Sequence, residues 1–167
     1  MILAIDVDYD DNTKEAWVSG VLFDEAESET SVSFHSHLTG VAEYVCGEFY
    51  KRELPCIEKL LSEHKLNPEI IIVDGFCQLN NKPCLGELLH LAYPHIKVIG
   101  VAKNPHPSMN DECRLLRGES AKPLLVSSAG LTITEAKAFV AKMHGKFRIP
   151  YQLKYVDSQC RARLSNS

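Results

Sequence analysis

One short apolar run constrains the fold of this chain more than any other feature. Residues 70–73 are all aliphatic, and Asp74 and Gly75 follow them directly. A run of this length is typical of a buried β-strand and is far short of the roughly 20 apolar residues that a membrane span needs. A strand buried in this way belongs in a sheet that is covered by helices, so the run favours an α/β fold.

The segments before this run have the composition of strands and a helix. Residues 2–7, 15–24 and 29–36 predict three strands, and we expect the second and third to be antiparallel neighbours of the first. Pro55 suits the first turn of a helix, and the apolar spacing carries that helix to about His64. The buried run then adds a fourth strand.

The second half of the chain continues the alternation. The pattern predicts a helix at 85–93, a strand at 96–102, weaker strands at 112–117 and 123–128, and a helix after the capping box of Thr132 and Glu135. We expect the tail from Phe147 to be irregular and basic. An antiparallel meander followed by strand–helix alternation predicts a single α/β domain over residues 1–167, with a mixed β-sheet flanked by helices.

Charge is distributed unevenly along the chain. The net charge is −4, but residues 1–30 contain nine acids and one lysine, whereas residues 101–167 contain five acids and eleven lysines or arginines. This distribution permits a cluster of carboxylates beside a face that contacts phosphate. The first residues lack the basic segment of a signal peptide, so we expect a cytoplasmic monomer without a membrane partner. The six cysteines contain no C-x-x-C pair, which favours reduced thiols over a zinc site.

Three carboxylates occupy positions where chemistry is common in such folds. Asp6 and Asp74 each end a predicted strand, and Glu53 lies at the start of the first helix. If these elements are neighbours, the three groups converge and need cations to neutralise them, and hard oxygen ligands select Mg²⁺ or Mn²⁺. Such a site would hydrolyse a phosphodiester. The structural alternative is that these acids are only caps and turn formers.

Two other interpretations of the acidic segment 6–11 were considered. An EF-hand loop starting at Asp6 requires Gly and Glu at the positions of Asp11 and Trp17, and is therefore excluded. The D-x-D pattern also resembles haloacid-dehalogenase-type phosphatases, in which Asp6 would be the nucleophile. A small-molecule phosphohydrolase is accordingly kept as an alternative, although the following segments read as strands rather than as a helix.

Seven short motifs, in order, resemble those of endonuclease V, the nuclease that nicks nucleic acid near deaminated adenine (inosine). The sequence Ile99-Gly100-Val101-Ala102-Lys103 matches the family's I-G-V-A-K outright. The other six are similar to the family's motifs and lie at residues 6–9, 44–47, 49–55, 72–75, 126–130 and 148–150. The resemblance runs from Ile5 to about Asp157, and its strength lies in the order and spacing of the motifs.

The resemblance implies a ribonuclease H-like fold and a set of roles. It implies that Asp6, Glu53 and Asp74 bind Mg²⁺, with Mn²⁺ as the other candidate, and that Lys103 lies near the scissile phosphate. It further implies that Tyr44 wedges into the strand while the flipped base enters a pocket lined by the backbone around Gly47. The expected substrate is DNA or RNA that contains inosine.

The sequence departs from the family pattern at two histidines. Asn80 and Leu131 stand where the family has histidine, and the prolines that flank the wedge are replaced by Glu43 and Cys46. Loss of a general acid–base or a metal-binding histidine costs about 10² to 10⁴-fold in rate. His106 is the nearest histidine in sequence to Lys103. A nucleic-acid-binding protein that has lost efficient catalysis is therefore a second hypothesis.

Overall fold

The computed structural model describes residues 1–43, 45, 48 and 50–164. The described chain alternates strands and helices. The strands are β1 Ile2–Asp10, β2 Glu15–Phe23, β3 Val32–Leu38, β4 Ile70–Asp74, β5 Gln78–Leu79, β6 Lys82–Pro83, β7 Lys97–Ala102, β8 Arg114–Leu115 and β9 Leu124–Ala129. The α-helices are α1 Tyr50–Glu63, α2 Leu85–Ala92, α3 Ile133–Lys142 and α4 Tyr151–Arg161, and Asp111–Cys113 forms a short 3₁₀ turn.

The main sheet is mixed, as the sequence predicts. Its strand order is β3-β2-β1-β4-β7-β9-β8, with parallel pairing of β1 with β4 and of β4 with β7. The remaining neighbours pair antiparallel. The third strand lies beside the second rather than beside the first, so the antiparallel meander continues outward from β1. Parallel pairing of β1, β4 and β7 brings their carboxyl ends to one edge of the sheet.

Helices cover both faces of this sheet. Leu3, Ile5 and Val73 point to the face that packs against α1 and α2, around Ile57 and Leu89. The alternating positions point to the other face, which packs against α3 and α4, and they include Ile2, Ala4, Ile72 and Val101. Because side chains alternate along a strand, one strand serves both cores. The buried run at residues 70–73 supplies both faces, as expected of a covered strand.

The first helix begins earlier than the sequence predicts. It starts at Tyr50, so Pro55 lies inside the helix rather than in its first turn. Proline there removes one backbone hydrogen bond. The helix is retained because its next turns bury Ile57, Leu60 and Leu61 against the sheet.

The irregular tail predicted from Phe147 onward is wrong, because the tail contains α4. This helix buries Gln152, Val156 and Cys160, which are spaced four residues apart. The buried stripe includes a polar residue, whose side chain Nε2 donates to the carbonyl oxygen of Ser28 at 3.2 Å. A stripe with one strongly apolar member is too weak to be recognised from hydrophobic periodicity.

Arg117 holds the chain in the segment that leads to α4. Its guanidinium is buried, and Nε donates to the carbonyl oxygen of Val140 at 3.1 Å. The two Nη groups donate to the carbonyl oxygens of Met143, Gly145 and Phe147. One cation thus satisfies carbonyls at the end of α3 and in the turn after it, where backbone acceptors otherwise lack partners.

None of the helices formed by residues 1–43, 45, 48 and 50–164 is both long and apolar enough to cross a membrane. The five described cysteines are free thiols, in agreement with the sequence prediction.

Arg117 and Arg114, three residues apart in the sequence, should differ sharply in their effect on stability. We expect Arg117→Ala to lower the free energy of unfolding by about 3 kcal/mol, because buried carbonyls lose charged donors. Arg114→Ala removes only an exposed pair with Asp111 at 3.4 Å and should cost at most about 1 kcal/mol. Urea denaturation of both variants measures the difference, and equal losses would contradict the role given to Arg117.

Candidate active site

Asp74 ends β4, and Asp6 lies beside it in the middle of β1, where the pairing of β1 with β4 stops. The prediction that Asp6 ends the first strand is wrong, because β1 continues along β2 to Asp10. Ile5 and Val73 are paired in the parallel register, and each aspartate is the next residue along its strand. Both follow residues that point toward α1 and α2, so their own side chains point to the face covered by α4. The predicted convergence of these two carboxylates is therefore present.

The turn after Asp74 approaches the neighbouring strand closely. Gly75 has a φ of +131°, a conformation that favours glycine, and its N–H donates to the carbonyl oxygen of Val101 at 3.0 Å. A Cβ on Gly100 would lie 2.6 Å from the Gly75 carbonyl oxygen. The backbone N–H of Cys77 then donates to Ser127 Oγ at 2.9 Å. These contacts fix the backbone that carries Asp74.

A third aspartate, which the sequence analysis did not predict, reaches the same place from α4. The side chains of Asp6 and Asp157 share a hydrogen bond, and both line a cleft with Asp74 and Lys103. The rest of the lining is apolar and includes Ile149 and Leu153. A signal was present in the sequence, because Asp157 is the one acid in an otherwise basic tail after residue 135.

Burial and mutual repulsion make these carboxyl groups weak acids. The pKa of Asp6 is raised from 3.8 to about 7, first by burial, then by the hydrogen bond with Asp157 and by the charges of Asp74 and Asp157. Burial also raises the pKa of Asp74, which the ammonium of Lys103 lowers and the charge of Asp157 raises. A hydrogen bond between two carboxyl groups requires a proton on one of them, and the raised pKa of Asp6 assigns that proton to Asp6. The cleft therefore retains protons that exposed carboxylates would have released.

Glu53 lies behind this cleft on α1. It is only 5% exposed, and its pKa is raised well above the usual value by burial and by the charges of Asp6 and Asp74. It does not line the cleft with the three aspartates. Its Oε2 is buried and has no hydrogen-bond partner within the described part of the chain.

The donor atoms in the cleft are of the type that binds a divalent cation, but they do not form a complete set of metal ligands. Among the residues that the structure describes, no three His, Cys, Asp or Glu side chains are arranged to hold a metal ion. The nearby donors are nevertheless all carboxylate oxygens, the kind that Mg²⁺ and Mn²⁺ prefer. A cation would be stabilised at two places, namely at the hydrogen bond between Asp6 and Asp157 and beside the unpartnered Oε2 of Glu53.

Comparison with known proteins identifies the fold. The sequence matches no protein-family model and no curated protein. Among solved structures, endonuclease V from Streptomyces avermitilis is 25% identical with a TM-score of 0.78, and the match covers 96% of this chain and 79% of that chain. The catalytic domain of human endonuclease V is 21% identical with a TM-score of 0.74, covering 96% and 80%.

A third match carries a ligand. Endonuclease V from Ciona intestinalis, crystallised as a variant in complex with a 23mer DNA containing an inosine followed by a ribo-adenosine, has a TM-score of 0.76. It is 18% identical, and the match covers 96% of this chain and 83% of that chain. This chain has the endonuclease V fold. The mixed sheet flanked by helices that the resemblance implied is confirmed.

The remaining residues of the endonuclease V pattern are placed in part. Lys103 directly follows β7 and lines the cleft, and its carbonyl oxygen accepts a hydrogen bond from Arg148. Tyr44 and Gly47 lie outside the described residues, so their predicted wedge and pocket roles stay predictions. The haloacid-dehalogenase alternative expects a helix after the first strand, whereas β1 continues directly into the antiparallel β2.

The two residues that stand in place of the family histidines have structural roles. Asn80 and Asn81 have φ values of +54° and +60° and form the two-residue turn between β5 and β6. Leu131 packs against the core cluster that contains Ala136. His106 does not substitute for them in the cleft, because its Nδ1 is hydrogen-bonded to Ser108 Oγ at 2.6 Å and it is not among the cleft-lining residues.

The raised pKa of Asp6 predicts a stability that falls with pH in metal-free protein. Between pH 3.8 and about 7 the unfolded chain releases this proton while the folded chain keeps it, so stability declines across that window. Asp6→Asn should therefore be more stable than the parent at pH 8, by up to about 4 kcal/mol, and equal to it near pH 3.5. Thermal melts in EDTA at both pH values measure this.

The matched control is Asp8→Asn, two residues along the same strand. Asp8 accepts from Arg163 Nε at 2.9 Å in a partly exposed ion pair, so its replacement should lower stability at pH 8 by at most about 1 kcal/mol. If both asparagine variants shift the melting temperature in the same direction at pH 8, the Asp6 carboxyl does not destabilise the folded state in the way that its raised pKa predicts.

Proposed function

We propose that this chain is a metal-dependent endonuclease that hydrolyses a phosphodiester near inosine in DNA or RNA. The observation that carries the proposal is the convergence of Asp6, Asp74 and Asp157 beside Lys103 in one cleft, where β4 and β7 end and α4 packs on the sheet. The fold supports a nuclease-like function, since the structures that share it include endonuclease V bound to inosine-containing DNA.

In this proposal the acids hold Mg²⁺, or Mn²⁺ in its place. Asp6, Asp74 and Asp157 would bind it in the cleft, with Glu53 contributing from α1. When bound, the metal activates water and stabilises the charge that develops on the phosphate. Lys103 adds a positive charge at the same edge, where it counteracts the raised pKa of Asp74 and would hold a phosphate oxygen.

The remaining roles concern the substrate strand. Tyr44 would wedge into the strand, and the backbone around Gly47 would line the pocket for the flipped base. The apolar rim of the cleft, which includes Ile149 and Leu153, would keep bulk water from the acids and strengthen their interaction with charge.

The direct test is cleavage of matched single-stranded DNA and RNA oligonucleotides that each contain one inosine. We expect one metal-dependent nick near inosine, first with Mg²⁺ and then with Mn²⁺, and its loss in Asp74→Ala. A circular dichroism spectrum shows whether that variant is folded. Parent-level cleavage by Asp74→Ala would sink the assignment of the acids.

The acid on α4 gives a second, independent prediction. Asp157→Asn should lower the cleavage rate by about 100-fold or more while the protein stays folded, because it removes a carboxylate that lies beside Asp6 in the cleft. Asp8 lies on the same face of β1 as Asp6 and is bound to Arg163, so Asp8→Asn should retain the parent rate. Single-turnover assays on the inosine strand compare the two; equal rates would remove Asp157 from the site.

A second candidate is a nucleic-acid-binding protein of the same fold without efficient cleavage. The specific observation in its favour is that Asn80 and Leu131 occupy the places of the family histidines and have structural roles in a turn and in a core. Binding of inosine-containing strands without a nick, with either metal, would favour this candidate. A folded Asn80→His variant that gains cleavage would show that the missing histidine is the cause.

A further inference from the structure

Three stretches of backbone meet beside the cleft and are tied together by two arginines. Arg148 donates through Nε to the carbonyl oxygen of Lys122 at 2.9 Å and through Nη2 to the carbonyl oxygens of Pro123, at 2.9 Å, and Lys103. Arg117 donates to the carbonyl oxygen of Phe147. We name this place the basic junction and define it by Lys103, Lys122, Lys146, Arg117 and Arg148.

Apart from Lys103, which faces the acids of the cleft, the cations of the basic junction form no ion pair among the described residues. Both guanidiniums bind carbonyls instead. By contrast, Lys59 on α1 is 3.0 Å from Glu63. Residues 114–123 and 142–154 contain seven lysines and arginines and one acid, Glu119. The junction therefore attracts anions.

An exposed aromatic ring lies in the middle of this charge. Phe147 is 68% exposed, and Lys146 Nζ lies 5.5 Å from the centre of its ring. Its backbone is held on two sides, by Arg117 at the carbonyl oxygen and by Gly118, where a Cβ would lie 3.0 Å from the Phe147 carbonyl carbon. A large apolar ring on an anchored backbone, facing solvent among cations, fits the face of a planar ligand.

The junction is continuous with the acidic cleft. Two residues after Phe147 the chain reaches Ile149, which lines the cleft with Asp74 and Lys103. Lys103 belongs to both places, because its side chain lines the cleft and its carbonyl oxygen is bound by Arg148. A chain-like ligand can therefore occupy the junction and the cleft together.

We propose that Phe147, Lys122 and Lys146 bind a single-stranded nucleic acid, with one base stacked on Phe147 and the adjoining phosphates on the two lysines. Aromatic rings interleaved with cations are the features that bind single strands without reading their sequence. This inference rests on the proposed function for the choice of ligand, and its three contact residues lie outside the seven motifs. It makes binding independent of inosine at the junction.

The test measures binding without cleavage. Fluorescence anisotropy of labelled single strands of about 12 nucleotides, DNA and RNA, without inosine and in EDTA, gives the affinity at several salt concentrations. Phe147→Leu should weaken binding by about 5- to 50-fold, and Phe147→Trp should restore it. On an abasic strand, which offers phosphates alone, Phe147→Leu should have no effect.

The lysines have a different signature. The double variant Lys122→Gln, Lys146→Gln should reduce the slope of log affinity against log salt by about 1.4, roughly 0.7 for each lost phosphate contact. The controls are Lys59→Gln and Leu91→Ser, an exposed lysine and an exposed leucine on the helices of the opposite face. Parent-like binding by Phe147→Leu, or an unchanged slope in the double variant, would overturn the surface.

These results separate this inference from the proposed nuclease. If the parent cuts inosine strands and the junction variants bind like the parent, the surface is wrong and the nuclease stands. If the junction variants lose binding but the parent never cuts, the surface stands and the proposed cleavage fails. Equal loss of affinity for normal and abasic strands in Phe147→Leu would overturn stacking.

Discussion

The hydrogen bond between the carboxyl groups of Asp6 and Asp157 is the constraint on which the rest of the site depends. The raised pKa of Asp6 keeps a proton at this contact up to about pH 7 unless a cation takes its place. Asp74 adds negative charge beside the pair, and Lys103 opposes it only at Asp74. The cleft therefore favours additional positive charge, because Lys103 compensates only part of its negative charge.

That contact joins the two ends of the chain, and polar interactions bring it about together with the apolar packing of α4 on the sheet. The position of Asp6 is fixed by the pairing of β1 with β2 and β4. Asp157 depends on α4, which begins where Arg117 and Arg148 bind backbone carbonyls and is seated by buried Gln152 on Ser28. Because buried carbonyls without donors are costly, these contacts determine where the helix starts and therefore where its aspartate lies.

Most of the fold could be predicted from the sequence because its strands are strongly patterned and its motifs are local. The antiparallel pairing of β1 with β2 and the side-by-side placement of Asp6 and Asp74 follow from such patterns, whereas β3 was expected beside β1 and lies beside β2. Two features could not be predicted. Favourable tertiary packing of α1 overrides the local penalty of Pro55, and the buried stripe of α4 contains Gln152, so periodicity does not reveal it. Asp157 was missed because its partner Asp6 lies 151 residues away, and its one signal in the sequence is that it is a lone acid in a basic tail.

The departures from the endonuclease V pattern have a common physical consequence. Asn80 is held at positive φ in a two-residue turn, and Leu131 is packed in a core, so neither position is a vacant histidine site. The cleft-lining side chains that can carry charge are then three aspartates and one lysine. In the proposed function, proton uptake and cation uptake would compete at the same oxygens of this cleft. The proposed cleavage would therefore depend on pH through the carboxyl groups themselves, rather than through a separate imidazole.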